Sequence, residues 1–442
     1  MWGEVCREDL KLMTASAQIA AAAAVVLALS GCSGGRPEVF SPVVRHTGRP
    51  PTGYTVTFRF RAPNATRVQL EGEWYFSGPA NTRVGSSEGR LPSQWKPGDF
   101  PIGWPNYGTT AGWPVVDMKK DPRTGVWSYT TPLPSGEFNY DFFVDCSRSD
   151  ELGSLSPPSC PKLSDPSNPP WNEREGIIAG SREPTSQVYV PSDPAFHTVD
   201  YSWQAPTSPH GVLRDVYYAA WIISPGSVAG LNMLAIYTPP GYDPFRSKPY
   251  PTVYLSAGYK SSEVDWSTRA DAGNILDNLI DEGEIEPMVV VMTNSAFSDC
   301  LSGDAATYDQ NLLGRVIPYV QSHYRVSREP SRRAFAGLSC GGGLAASLLL
   351  HHTGAFGYFG LFSPYPTNVS AAQARAIKHV GVMIGVGKQD PIHYNALSDL
   401  SELRRAGVKV FADLINGGHD WYVWRILLRD FLTLVAFRPV GG

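Results

Sequence analysis

The sequence predicts an α/β protein: a mostly parallel sheet with helices on both faces, preceded by a small all-β sandwich of immunoglobulin-like type. Three observations predict it. Between Tyr54 and Val144 apolar residues alternate with period two, in short runs broken by turn residues. Beyond Thr252 short apolar runs and longer helical ones take turns, the order of strand–helix–strand units. A serine then stands between small residues where an apolar run meets an Ala/Leu-rich one, at Gly337-Leu338-Ser339-Cys340-Gly341.

The chain opens with an apolar run, 19–29, too short to span a membrane convincingly. It ends in Leu29-Ser30-Gly31-Cys32, which reads as a lipobox. Residues 1–32 are then a lipoprotein signal peptide, and Cys32 is acylated after cleavage. An ordinary secretory signal cut nearby is the plainer alternative. Either way the protein is expected to be exported, as a cell-envelope lipoprotein or an extracellular protein. It would touch membrane only through a lipid anchor. Residues 33–52, polar and rich in Gly, Pro and Arg, read as a tether.

Residues 53–170 are the expected sandwich. Thr55-Val56-Thr57-Phe58-Arg59-Phe60 alternates, and so does Phe138-Asn139-Tyr140-Asp141-Phe142. Between the first and last strands, 74–114 is long, irregular and rich in Gly and Pro, and it carries Trp74, Trp95, Trp104 and Trp113. A stretch of that length inside a compact domain is usually functional or disordered. The tryptophans favour order, so an elaboration packed near an active-site mouth is expected. They are not spaced by two along one strand, which argues against a flat sugar-binding platform. A linker, 171–194, leads to a second domain, 195–442. There a hairpin over 211–238 precedes strands expected at 252–255, 288–292, 333–336, 358–362, 380–386 and 408–413. Helices are expected at 274–282, 311–323, 342–352, 397–406 and 421–434.

Composition narrows the function. The 442 residues are 42% hydrophobic and 18% charged, which supports a large core shared among two or three domains. A net charge of −4 gives no electrostatic basis for binding nucleic acid. The 12 Trp and 21 Tyr suit stacking on sugar or phenolic rings, although a large core also consumes them. Export changes the reading of the cysteines: Cys146 and Cys160, which bracket a Ser/Pro-rich stretch, become candidates for a short-range disulfide. The pairing of Cys300 and Cys340 stays open.

The chemistry centres on Ser339. Gly-x-Ser-x-Gly between a strand and a helix is the setting of a nucleophile elbow, where a strained turn lifts the hydroxyl above the sheet. A serine hydroxyl needs a base, and the base needs an orienting acid. Asp390 follows the strand at 380–386 through Gly387-Lys388-Gln389. His419 follows the strand at 408–413 through Asn416-Gly417-Gly418. Both positions are loops at strand C-terminal ends, in the order serine, acid, histidine. His323, His351, His352, His379 and His393 fit the base role less well, and Asp399 and Asp413 fit the acid role less well. The oxyanion hole needs two backbone N–H groups. Cys340, next to the nucleophile, supplies one, and Tyr259, after Ser256-Ala257-Gly258, supplies the other. No metal-ligand spacing, phosphate loop or dinucleotide fingerprint is seen, so no cofactor is expected.

These stretches resemble the putative-esterase family of α/β-hydrolases. That family includes feruloyl esterases of carbohydrate esterase family 1, enterobactin-type esterases and mycolyltransferases. The resemblance is carried by Tyr237-Thr238-Pro239-Pro240-Gly241-Tyr242-Asp243, Asp265-Trp266, Ile275-Leu276-Asp277-Asn278-Leu279-Ile280 and Pro287-Met288-Val289-Val290-Val291-Met292. Gly337 to Gly342, Asp390, and Gly418-His419-Asp420-Trp421 with Trp424-Arg425 complete it. Residues 53–170, ending in Asp165-Pro166-Ser167-Asn168-Pro169, resemble the carbohydrate-module-like domain that often precedes such catalytic domains. The sequence departs from the family in having Ser256-Ala257-Gly258 where Leu-His-Gly is common, and Cys340 where Met is common. The resemblance implies a serine ester hydrolase acting on feruloyl or acetyl esters of polysaccharide, either as a small molecule or polysaccharide-linked. A siderophore esterase or a mycolyltransferase-type acyltransferase is the alternative within the class. Outside the class, the alternative is an inactive carbohydrate-binding lipoprotein.

Overall fold

The computed structural model describes residues 40–85, 88–103, 113, 115–146, 161–168, 185–220, 230–259, 261–296, 305–365 and 369–440. The signal segment and Cys32, and with them Trp104, Cys160 and Cys300, lie outside the described residues. Cys146 and Cys340 are each one half of a disulfide.

Among the described residues, ten strands build the N-terminal part. They are β1 (Val43–His46), β2 (Tyr54–Arg61), β3 (Val68–Gly72), β4 (Phe76–Ser77), β5 (Phe100–Pro101), β6 (Val115–Asp117), β7 (Lys119–Asp121), β8 (Val126–Pro132), β9 (Gly136–Val144) and β10 (Ser186–Val190). Two antiparallel sheets, β1-β2-β8-β7 and β10-β9-β3-β6, face each other. Period-two alternation drives this pairing. Val56, Phe58 and Phe60 point inward from β2 and meet Phe138, Tyr140 and Phe142 from β9 in one apolar cluster. Phe58 lies edge-on to Tyr140 at 4.8 Å.

The sandwich uses more chain than expected. Strand β1 lies within the segment read as a tether, and β10 within the segment read as a linker. Both sit at sheet edges, where a strand needs only one partner. Their short runs therefore carry a weak pattern, and pairing to β2 and β9 decides them. Trp74 and Trp95 are also placed by tertiary packing. Both are buried in the sandwich core and do not line a mouth.

The second part is one eight-stranded sheet, built from β11 (Val212–Ala219), β12 (Leu231–Thr238), β13 (Thr252–Ser256), β14 (Val289–Thr293), β15 (Arg333–Leu338), β16 (Tyr358–Phe362), β17 (Gly381–Gly387) and β18 (Val410–Ile415). Its order is β11-β12-β14-β13-β15-β16-β17-β18. Strand β12 runs antiparallel to both neighbours, and every pairing from β14 to β18 is parallel.

The helices are α1 (Asp265–Thr268), α2 (Ala272–Asp281), α3 (Ala306–Asn311), α4 (Ile317–His323), α5 (Cys340–His351), α6 (Ala371–Ala376), α7 (His393–Arg405) and α8 (Trp421–Asp430). The parallel strands are buried on both faces, so they read as continuous apolar runs. Val253 and Leu255 of β13 pack with α2 and α8 on one face, while Tyr254 packs with α4 and α5 on the other. The α/β-hydrolase sheet with a preceding all-β sandwich is therefore the architecture observed.

Sandwich and sheet meet through buried charge. Arg425 of α8 is 1% exposed. It lies 3.4 Å from Glu73 and 3.3 Å from Glu137, and it donates to the Glu137 carbonyl at 3.0 Å. Asn139 of β9 donates to the Arg269 carbonyl beyond α1 at 3.0 Å. Tyr201, next to the sandwich, and Tyr422 of α8 share a hydroxyl–hydroxyl bond at 3.1 Å.

Candidate active site

The elbow follows from close approach. A Cβ on Gly337 would lie 2.2 Å from the Gly341 carbonyl oxygen, and one on Gly341 would lie 2.4 Å from that of Ser256. Only glycine fits at either position. Ser339 between them has φ 54° and ψ −115°, a conformation that L residues rarely adopt. Three backbone bonds hold it there. Ser339 N–H donates to Phe362 O at 2.9 Å, Gly341 N–H to Ala257 O at 3.0 Å, and Gly343 N–H to Ser339 O at 3.1 Å. Helix α5 starts at Cys340, so its positive end lies beside the serine.

The other two candidates stand on neighbouring strand ends. Asp390 follows β17 and is fully buried. Its Oδ2 accepts from His419 Nδ1 at 2.9 Å and from Ser363 Oγ at 2.7 Å, and its Oδ1 accepts from Ile392 N–H at 2.9 Å. His419 follows β18, and its ring lies edge-on to Trp424 at 4.9 Å. A carboxylate can only accept, so Nδ1 carries the proton and Nε2 is left as the basic nitrogen. The structure thus pairs His419 with Asp390. Ser339 shares the same sheet edge, two strands from the acid. A Ser339–His419 bond is not among the hydrogen bonds of the described residues, and such contacts commonly tighten only when substrate is bound.

Cys340 directly follows the serine, and Gly258, the residue before Tyr259, lies close to it. A Cβ on Gly258 would lie 3.7 Å from Ser339 Cβ, which places the Ala257–Tyr259 turn against the nucleophile. The rival histidines are engaged elsewhere. His393 Nδ1 faces the Gly387 carbonyl at 3.1 Å, and His351 Nδ1 faces the Ser347 carbonyl at 3.1 Å. His352 reaches Asp309 at 3.6 Å, and His323 stacks on Tyr319 at 4.1 Å.

The electrostatics follow the geometry. Burial alone would push Asp390 up. The His419 charge and the three hydrogen bonds outweigh burial and hold the carboxyl below its usual range. Burial disfavours the charged imidazole, yet Asp390 beside it raises His419 above its usual 6.5.

Two further residues tie the sandwich to these loops. Gln389, next to the acid, accepts from Gly417 N–H at 2.8 Å and donates its side chain to the Asn81 carbonyl at 2.5 Å. Its backbone carbonyl accepts from Gly85 N–H at 2.7 Å. Asp420, next to the histidine, caps α8 by accepting from Val423 N–H at 3.2 Å. It also accepts from Gly418 N–H at 3.3 Å and Gly103 N–H at 3.4 Å. Asn81, Gly85 and Gly103 therefore clasp both loops from outside. Neither residue was singled out for this role from sequence, because Asn81, Gly85 and Gly103 lie some three hundred residues from the loops they hold.

Asp420 makes stability pH-dependent. Burial, with Glu73 nearby, pushes it to about 7, despite the backbone N–H groups that favour its charged form. Asp141 of β9 is pushed to about 6 by burial, with Lys162 opposing. Between the unfolded value of 3.8 and these folded values, the native state holds protons that the unfolded chain has lost. Stability is therefore expected to fall as pH rises from about 4 to 7. Asp420→Asn keeps the cap and should flatten part of that slope in a series of urea titrations. A slope unchanged by the substitution would show that Asp420 is not its source.

Residues 232–433 match the family model described as putative esterase. The endo-1,4-beta-xylanase/feruloyl esterase of Xylanibacter ruminicola is 30% identical over 327 residues, covering 71% of this chain and 40% of that protein. An uncharacterized protein of Corynebacterium glutamicum is 26% identical over 243 residues, covering 47% of this chain and 57% of that one. The chain thus spans about half the length of these relatives or less. The crystal structure of the enterobactin esterase of Shigella flexneri, in the presence of 2,3-dihydroxy-N-benzoyl-serine, shares the fold. It matches with a TM-score of 0.54 at 17% identity, over 89% of this chain and 95% of that one.

Proposed function

We propose that this chain, whose residues 232–433 match the family model described as putative esterase, is a serine carboxylic-ester hydrolase with Ser339 as nucleophile. The observation that carries the reading is the 2.9 Å His419–Asp390 bond, on the sheet edge that also holds the strained elbow serine. His419 Nε2 takes the Ser339 proton as Oγ attacks the ester carbonyl. The N–H groups of Tyr259 and Cys340 receive the developing oxyanion. His419 returns the proton to the departing alcohol, leaving an acyl-enzyme that water then cleaves by the same steps. Asp390 stays ionised throughout and holds the imidazole in its working tautomer.

For substrate, the reading is a hydroxycinnamoyl or acetyl ester attached to polysaccharide. The Xylanibacter relative supports it, since its name pairs xylanase with feruloyl esterase. The test is a panel of p-nitrophenyl acetate, methyl ferulate, feruloylated arabinoxylan and a catecholate trilactone, assayed with and without a sugar acceptor. Preference for the ferulates carries the reading. Preference for the trilactone points to a siderophore esterase, and product on the sugar points to an acyltransferase. Silence on every ester returns the chain to a binding role.

The lipoprotein reading rests on Leu29-Ser30-Gly31-Cys32. Cys32→Ser is expected to abolish incorporation of labelled fatty acid in a bacterial host. Equal labelling of both forms would exclude acylation at this residue.

A further inference from the structure

We propose that Ser363 is a positioning residue of the catalytic apparatus, kept as serine so that its hydroxyl can lock the Asp390 carboxylate against His419. The inference rests on the reading of Ser339, Asp390 and His419 as a triad, in which Ser363 has no assigned part.

Ser363 sits just past β16, between the strand that leads to the elbow and the strand that leads to the acid. It is fully buried. Its φ is 45°, in the left-handed region where glycine is the unstrained choice. A residue that only had to turn the chain here would be expected to be glycine. What glycine lacks is the hydroxyl, and here the hydroxyl is fully used. Its proton goes to Asp390 Oδ2 at 2.7 Å, and its lone pair accepts from Trp424 Nε1 at 3.2 Å. Both directions are forced, because a carboxylate only accepts and an indole N–H only donates. The Ser363 backbone N–H is held by the Gly385 carbonyl at 2.8 Å. The strain is thus imposed by a site that fixes the residue on three sides.

Two consequences follow for the imidazole. Oδ2 is the same oxygen that receives His419 Nδ1. A second donor on that oxygen fixes the rotation of the carboxyl plane and disperses its charge. The Trp424 ring that Ser363 anchors is also the ring that lies edge-on to His419. One hydroxyl therefore orients the acid and, through the indole, one side of the base. The other titratable groups around the pair are Asp420 beside His419, Glu73 of the sandwich behind Asp420, Arg425 paired with Glu73, and His393 of α7. None of them contacts Ser363 by the bonds described, so its removal leaves their charges in place.

The test compares Ser363→Ala and Ser363→Gly with the parent chain by imidazole NMR titration and by p-nitrophenyl acetate kinetics. The Gly variant suits the backbone conformation, so it carries the test if the Ala variant folds poorly. Loss of the second donor concentrates charge on Oδ2 and stabilises the imidazolium. His419 is expected to titrate higher, by about half a pH unit or more. The acid limb of kcat/KM should move with it. Looser positioning is expected to lower kcat roughly 10- to 100-fold with KM little changed, on the scale of small misplacements at reacting groups. A folded Gly variant with unchanged His419 titration and unchanged kcat would overturn the proposal, since a merely structural serine would behave that way. If the parent chain cleaves no ester, the triad reading fails on its own, while the His419 titration still decides whether Ser363 acts on the pair.

Discussion

Replacing Ser339 with alanine is expected to lower turnover of a short-chain ester by about 10⁴-fold or more, with the fold intact. The variant removes only the hydroxyl, and alanine tolerates the same strained turn no worse than serine does. His419→Ala should cost nearly as much, because the serine then has no base. The double variant should be little worse than either single one, since residues that act as a unit are strongly non-additive. Asp390→Asn keeps the shape but offers an amide N–H or carbonyl to Nδ1, so the working tautomer is no longer enforced and a loss on the order of 10⁴ is expected. In the parent enzyme, activity should rise with pH through the raised value of His419, because only the neutral imidazole can take the serine proton. The measurement is p-nitrophenyl acetate hydrolysis, with circular dichroism to confirm folding. Parent-level turnover in Ser339→Ala would remove the nucleophile from the scheme.

Arg425→Leu is expected to destabilise the chain by about 3–5 kcal/mol, the range for breaking one side of a buried ion pair. Arg425, Glu73 and Glu137 are all nearly excluded from water. Burial already pushes Glu137 well above the usual carboxyl range, with Arg425 the main opposing influence. Without the arginine, Glu73 and Glu137 face each other uncompensated, and Glu137 takes a proton more readily still. The destabilisation should therefore be smaller at pH 5 than at pH 8. Replacing all three residues with apolar ones of similar volume should recover most of the loss, because the desolvation cost disappears with the charges. Urea unfolding at the two pH values measures this. A loss below about 1 kcal/mol at pH 8 would mean that the cluster is solvated and does not join the sandwich to the sheet.

The sequence by itself determined the parts of this protein that are local. The elbow is written in five adjacent residues, because Gly337 and Gly341 are required by backbone atoms within a few residues or on the adjoining strand. The sheet was legible because buried parallel strands must be apolar throughout, and the sandwich because one face of each strand is buried. Asp390 and His419 were singled out by their places after β17 and β18, a rule of chain order and not of contact, and the structure brings their side chains together. Tertiary structure decided the rest. It recruited Val43–His46 and Ser186–Val190 as edge strands and put Trp74 and Trp95 in a core. It also brought Ser363, Gln389 and Arg425 to the site and the interface. Each of these acts through a hydrogen bond or ion pair to a residue tens to hundreds of positions away. No periodicity records such a partner, because it exists only once the sandwich and the eight-stranded sheet have closed around it.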